Sequence, residues 1–150
     1  MTETSRGNRF VVASLFFLAA LAAWWLQNSA AAQDSKPGPQ VFELRTYTAQ
    51  EGKFDALKTR FRDHTVRLFK KHGMTQIGYW TPTEEPKSKN TLIYLLAFPN
   101  AEAREKSWAA FRADPEWRKA LEESEKANGG KLTERTEFVI LTPTDFSPMQ

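Results

Sequence analysis

The chain contains no cysteine. Disulfides, thiol nucleophiles, thiolate metal sites and a lipid-modified leader cysteine are therefore excluded. Histidine occurs only twice, as His64 and His72, and neither has a carboxylate at ligand spacing. No metal site and no cofactor are expected on that pattern. A dominant charge is missing as well: 21 basic and 18 acidic residues leave a formal +3 over 150 residues. Without Arg6, Arg9 and Glu3 of the first 32 residues, 19 basic and 17 acidic residues remain, or +2. No basic stripe is interleaved with aromatics, so no nucleic-acid partner is expected. Ser107 and Ser147 lack a His–Asp arrangement, and Gly129-Gly130 lacks the strand context of a phosphate loop, which removes hydrolase and nucleotide-binding readings. What is present, 41% hydrophobic and 26% charged residues, is the composition of a globular domain rather than a disordered chain.

Residues 1–32 have the three parts of an export signal. Arg6 and Arg9 form a basic start, Phe10 to Leu26 is an apolar run broken only by Ser14, and Ala30-Ala31-Ala32 offers small residues before Gln33. An adjacent arginine pair is missing, which argues against twin-arginine export. Cleavage ahead of Gln33 gives a periplasmic or secreted protein. The alternative is an uncleaved N-terminal anchor, since the apolar run approaches the roughly 18 residues of a membrane span. Residues 33–40 are a polar, proline-punctuated linker. A membrane partner is expected only if the leader is retained.

The folded part, residues 41–148, opens on Val41 to Thr48, where apolar and polar residues alternate strictly. Period-two alternation with β-favouring residues predicts a half-buried strand. Phe42, Leu44 and Thr46 point one way, toward a helical layer; Glu43, Arg45 and Tyr47 point the other. Gln50 to Lys71 follows as a helix with Phe54, Leu57, Phe61, Thr65 and Leu68 on one face. Its basic residues, Arg60 among them, mostly point elsewhere. Met74 to Thr81 and Thr91 to Phe98 are the next strands. Ala101 to Arg112 and Pro115 to about Lys126 are helices, capped by Asn100 and Asp114. Leu132 to Leu141 is the last strand.

Strand, helix, two strands, helices and strand predict an α+β, ferredoxin-like βαββαβ fold with an antiparallel four-stranded sheet. Helices cover one sheet face. The other, expected to carry Glu43, Arg45, Tyr47, Gln76 and Trp80, or Arg135 and Glu137, then closes against a second copy, giving a homodimer. Glu43, Arg45, Tyr47 and Gln76 are the candidate ligand-binding residues: Arg45 would hold an anionic group, and Glu43 or Tyr47 would handle a proton. The structural alternative is an ion-pair ladder with Arg135 and Glu137. His64 lies beside the apolar helix face, as a core histidine or else a haem ligand.

The motifs Glu43-x-Arg45-x-Tyr47, Lys71-His72-Gly73, Gly78-x-Trp80 and Trp108-x-x-Phe111-x-x-Asp114-Pro115-x-Trp117, closing on Leu141-x-Pro143-Thr144-x-Phe146-Ser147, together resemble the NIPSNAP family. The resemblance covers about residues 41 to 147. It implies a dimeric α+β barrel, the architecture of small antibiotic-biosynthesis-type monooxygenases. Eukaryotic members are associated with mitochondria, vesicle traffic and mitophagy. The export leader departs from that pattern, so the mitophagy role is not carried over. The resulting expectation is an exported domain that binds a small organic ligand or serves as a scaffold. The alternatives are a cofactor-independent monooxygenase-like enzyme and a haem-binding barrel; the residues make no choice for or against catalysis.

The leader makes the first prediction. N-terminal sequencing of the exported protein should begin near Gln33. Intact Met1 recovered in the membrane fraction would establish the anchor instead.

Overall fold

The computed structural model describes residues 40–149. The expected leader, its cleavage site and most of the linker lie outside the described residues. Four antiparallel strands, β1 (Val41–Ala49), β2 (Thr75–Trp80), β3 (Thr91–Phe98) and β4 (Thr133–Leu141), form a sheet in the order β2-β3-β1-β4. The long first helix, α1, runs as Phe54–Arg60, a π turn at Phe61–Thr65, and Val66–Lys71. Helices α2 (Ala101–Ala113) and α3 (Pro115–Ala127) meet at Asp114. This is the expected ferredoxin-like α+β fold.

The predicted apolar stripe of α1 is buried throughout, and Phe69 joins it. It packs with Trp108 and Phe111 of α2 against Leu92, Tyr94, Leu96 and Phe98 of β3. The rings meet mostly edge to face: Phe61 and Phe69 lie 6.3 Å apart at 84°, and Phe69 and Trp108 5.4 Å apart at 80°. That geometry suits the quadrupoles of aromatic rings and stabilises each pair by about 1 kcal/mol beyond its area.

One sign in the alternation of β1 is reversed. The odd-numbered set, Val41, Glu43, Arg45, Tyr47 and Ala49, faces the helices; Phe42, Leu44, Thr46 and Thr48 face away. Periodicity fixes which residues share a face but not which face is covered. Here the helices supply partners for the charges, as described below. The strands beside β1 continue the division. Leu95 and Ile93 of β3, and Val139, Glu137 and Arg135 of β4, sit opposite Leu44, Thr46 and Thr48 on the open face. The C-terminal tail folds back over Phe42 on that side: Pro143, Thr144 and Met149 enclose a hollow of about 260 Å³ with Phe42, Leu95 and Leu141.

In β2 a bulge between Gln76 and Gly78 shifts the parity. Gln76 and Tyr79 therefore both face α1, while Trp80 lies on the open side, not beside Gln76 as simple alternation predicts. A Cβ at Gly78 would come within 2.6 Å of the Trp80 ring, so the ring lies where only a glycine leaves room. At the end of α1, Gly73 has φ +73°, the left-handed conformation that closes a helix without a side-chain clash.

A polar staple joins the end of α1 to the α2–α3 corner. Lys71 donates to Asp114 at 2.8 Å, and His72 Nε2 lies 2.6 Å from the same oxygen. The other Asp114 oxygen caps α3 through the Glu116 N–H at 2.8 Å. The Lys71 and His72 hydrogen bonds hold the Asp114 carboxyl well below its usual range, against the opposing effect of burial. A folded-state pKa below the usual 3.8 makes this stabilisation complete above that value and progressively lost as pH falls toward the lowered one. Asp114→Asn, which can still cap α3, should lower the urea midpoint at pH 7 and lower it by less at pH 2.5, where part of the stabilisation is already lost. A midpoint difference as large in acid as at neutrality would refute the ion-pair origin.

Candidate functional site

Two polar assemblies lie between the helices and the sheet. The first is centred on Glu43, whose side chain is 0% exposed. Arg45 reaches one carboxylate oxygen at 2.6 Å; Arg104 Nε and Trp108 Nε1, one helical turn apart on α2, reach the other at 2.7 and 2.6 Å. Three charge-assisted donors use most of the carboxylate's capacity. Arg104 also pairs with Glu105 at the rim, so two carboxylates balance two guanidinium groups. The Arg45 guanidinium carbon stands 4.4 Å from the Trp108 ring centre and 5.3 Å from that of Phe138, within cation–π range of both. Burial opposes the Arg45 charge, but Tyr47, Tyr94 and Glu43 outweigh it and raise its pKa.

Tyr94, fully buried on β3, sits beside this network. Its hydroxyl has no partner in regular hydrogen-bonding geometry among the described residues, although the Tyr47 phenol is close enough to couple to it electrically. Burial, reinforced by Tyr47, pushes the Tyr94 hydroxyl well above the ordinary phenol range, so it remains a neutral donor.

The second assembly is a cavity of about 150 Å³ between α1, α3 and the sheet. Tyr47 forms part of its floor. Phe61, Phe69, Phe111 and Trp117 supply aromatic walls, and Arg60 and Thr65 bring polar groups from α1. The π turn brings Phe61 and Thr65 here: the Thr65 hydroxyl bonds back to the Arg60 carbonyl five residues earlier, at 3.3 Å. Such insertions are frequent at functional sites. The turn is braced from the sheet, since Gln76 Nε2 donates to the Val66 carbonyl at 2.8 Å and the Tyr79 hydroxyl donates to Gln76 at 2.7 Å.

The four predicted site residues are thus on one sheet face but not in one pocket. Tyr47 lines the cavity, Glu43 and Arg45 belong to the buried ion network, and Gln76 braces the π turn. The expected homodimer through the Glu43–Arg45–Tyr47 face needs correction, because helices occupy that face. The alternative ladder with Arg135 and Glu137 is also corrected: those two residues lie on the opposite face, 3.3 Å apart. Arg60, expected outside the apolar face, is 4% exposed. It follows Phe54 and Leu57 in a run whose hydrophobic spacing gives no reason to bury a cation. Arg104 was legible in principle, since it falls four residues before Trp108 on the stripe that meets the sheet.

His64 is half-buried on the π turn, and His72 belongs to the Asp114 staple. Among the described residues no group of three histidines or carboxylates is placed to hold a metal ion. The open sheet face carries a wider concavity of about 610 Å³, between Thr46, Thr48, Ile93, Arg135 and the β2–β3 loop at Glu84 and Pro86.

Comparison with protein families matches residues 42–148 to the NIPSNAP model. Among solved structures, a NIPSNAP family protein of unknown function from Agrobacterium tumefaciens is 27% identical with a TM-score of 0.63, over 75% of this chain and 95% of its own. A NIPSNAP-like domain protein from Burkholderia xenovorans is 23% identical with a TM-score of 0.62, over 73% of this chain and 89% of its own. SnoaB, a cofactor-independent oxygenase from Streptomyces nogalater, shares the fold at 14% identity and a TM-score of 0.50, over 74% of this chain and 99% of its own. Comparison with curated proteins gives no match.

The ion network makes its own prediction. Glu43→Gln leaves the Arg45 guanidinium without a charge partner and Arg104 with only Glu105 at the rim, and should cost about 3 kcal/mol, from the penalty for breaking buried pairs. Urea unfolding measures it; a loss below about 1 kcal/mol, the range of exposed pairs, would show that the carboxylate carries no such load.

Proposed function

The chain belongs to the NIPSNAP family, and from that premise we propose that it is an exported, homodimeric domain that binds a small organic ligand without turning it over. The observation that carries the binding reading is the cavity of about 150 Å³ with Tyr47 in its floor. Its mixed aromatic and polar lining is that of a small-molecule site. The buried network of Glu43, Arg45, Arg104 and Trp108 acts as the support that fixes β1 beneath it. Gln76 has the same role for α1. Export rests on the order of basic, apolar and small residues over residues 1–32.

Catalysis is not part of the reading. The likeness to SnoaB is one of fold. Glu43 already accepts three hydrogen bonds away from the cavity, and the carboxylate that lines the cavity, Glu125, faces Arg60 at 3.8 Å, so the geometry assigns neither a base role.

In this reading the homodimer forms through the open sheet face. Leu44, Ile93, Leu95 and Val139 give it an apolar centre, and Val139 is 54% exposed. A small domain with one helical layer gains stability by covering such a face. Light scattering of the protein lacking residues 1–32 should give twice its single-chain mass. Val139→Lys should return single-chain mass with an unchanged circular dichroism spectrum. A wild-type monomer at micromolar concentration would overturn the dimer.

A further inference from the structure

Arg60 is the group in the cavity that the protein leaves least compensated. Its guanidinium stays charged at neutral pH, although burial lowers its pKa. Its contacts are long for a buried cation: Ser124 Oγ accepts from it at 3.3 Å, and Glu125 stands at 3.8 Å. Its Nε is buried and finds no acceptor among the described residues. A buried donor without an acceptor is costly, and arginine's planar fork is shaped to take a carboxylate through two parallel hydrogen bonds.

The surroundings of Arg60 restrict what could supply that acceptor. Its guanidinium carbon lies 5.6 Å from the Trp117 ring centre. Phe61 and Phe111 form adjoining walls of the same cavity. About 150 Å³ is enough for a single benzene-sized ring. Glu125, at 29% side-chain exposure, marks the side that meets solvent. The phenols of Tyr47 and Tyr94 are near enough to influence Arg60 electrostatically, and Tyr47 also lines the cavity.

We propose that this cavity takes a small aromatic monocarboxylate, its carboxylate held by Arg60 and its ring by Phe61, Phe111 and Trp117. The inference rests on the ligand-binding reading above and adds the chemical class. It makes Glu125 a competitor at the mouth: this carboxylate partly satisfies Arg60 in the empty cavity and must yield when a ligand carboxylate arrives.

The test uses benzoate and its neutral counterpart benzamide, titrated calorimetrically into the purified protein. Benzoate should bind at least about tenfold more tightly, the smallest gap expected for a charge-assisted hydrogen bond. Arg60→Gln should abolish the gap. Glu125→Gln should widen it, because the competing charge is gone; a purely structural Arg60–Glu125 pair predicts loss of stability and no gain in binding. Equal binding of the two probes by the wild type, or a gap that survives Arg60→Gln, overturns the carboxylate inference while leaving a ligand-binding cavity. Binding of neither probe to folded wild-type protein overturns the inference; soaked fragments or a co-purified ligand in the same cavity would then separately decide the broader reading. Should Arg60→Gln fail to fold, the wild-type probe pair and Glu125→Gln still decide.

Discussion

A carboxylate with no access to solvent, placed on one of the two central strands, is the constraint on which this domain turns. Glu43 cannot be buried as an unpaired charge, and desolvating it costs more than any single hydrophobic contact returns. Its partners must therefore arrive from fixed places. Arg45 comes from the same strand face, and Arg104 and Trp108 come from consecutive turns of α2. Those contacts fix which face of β1 meets the helices, and they fix the rotation of α2 about its own axis. Once α2 is set, Asp114 lies at its end within reach of Lys71 and His72, and the end of α1 is set with it.

This order of dependence explains how the sequence could show so much of the fold and still misplace a face. The strands and helices were legible because their periods are local properties: alternation in Val41 to Thr48, three-and-four spacing in α1, and caps at Asn100 and Asp114. The covered face of β1 is a non-local property. Local hydrophobicity favours Phe42 and Leu44 as the inward set, yet the charges went inward because α2 carries complementary groups 61 and 65 residues away. The apolar set was left on the open side, where the tail covers Phe42. In β2 a one-residue bulge separated Gln76 from Trp80, and a bulge has no reliable signature in a single sequence.

The candidate site was legible to the extent that its residues lie on strands. Alternation grouped Tyr47 with Glu43 and Arg45 but turned that group away from the helices that build the cavity. Arg60 could not be placed, because an arginine within a helix usually snorkels to solvent. Its burial depends on the π turn that follows it, and that turn depends on the Gln76–Tyr79 brace from another strand. A helix of uniform pitch would give no reason to expect a cation among Phe61, Phe111 and Trp117.

The two polar assemblies differ in a way that separates support from recognition. Around Glu43 the carboxylate meets its donors at 2.6 to 2.7 Å and has little acceptor capacity left for a ligand, although Arg45 Nε finds no acceptor among the described residues. Around Arg60 the contacts are longer, Nε finds no acceptor among the described residues, and a cavity of about 150 Å³ adjoins it. A matched network resists rearrangement, because breaking any member strands a buried charge. An unmatched cation beside a void has the opposite property: its free energy falls when an acceptor of the right shape enters. In this domain the Glu43 network fixes β1 against α2, and the proposed ligand would supply the acceptor that Arg60 lacks among the described residues.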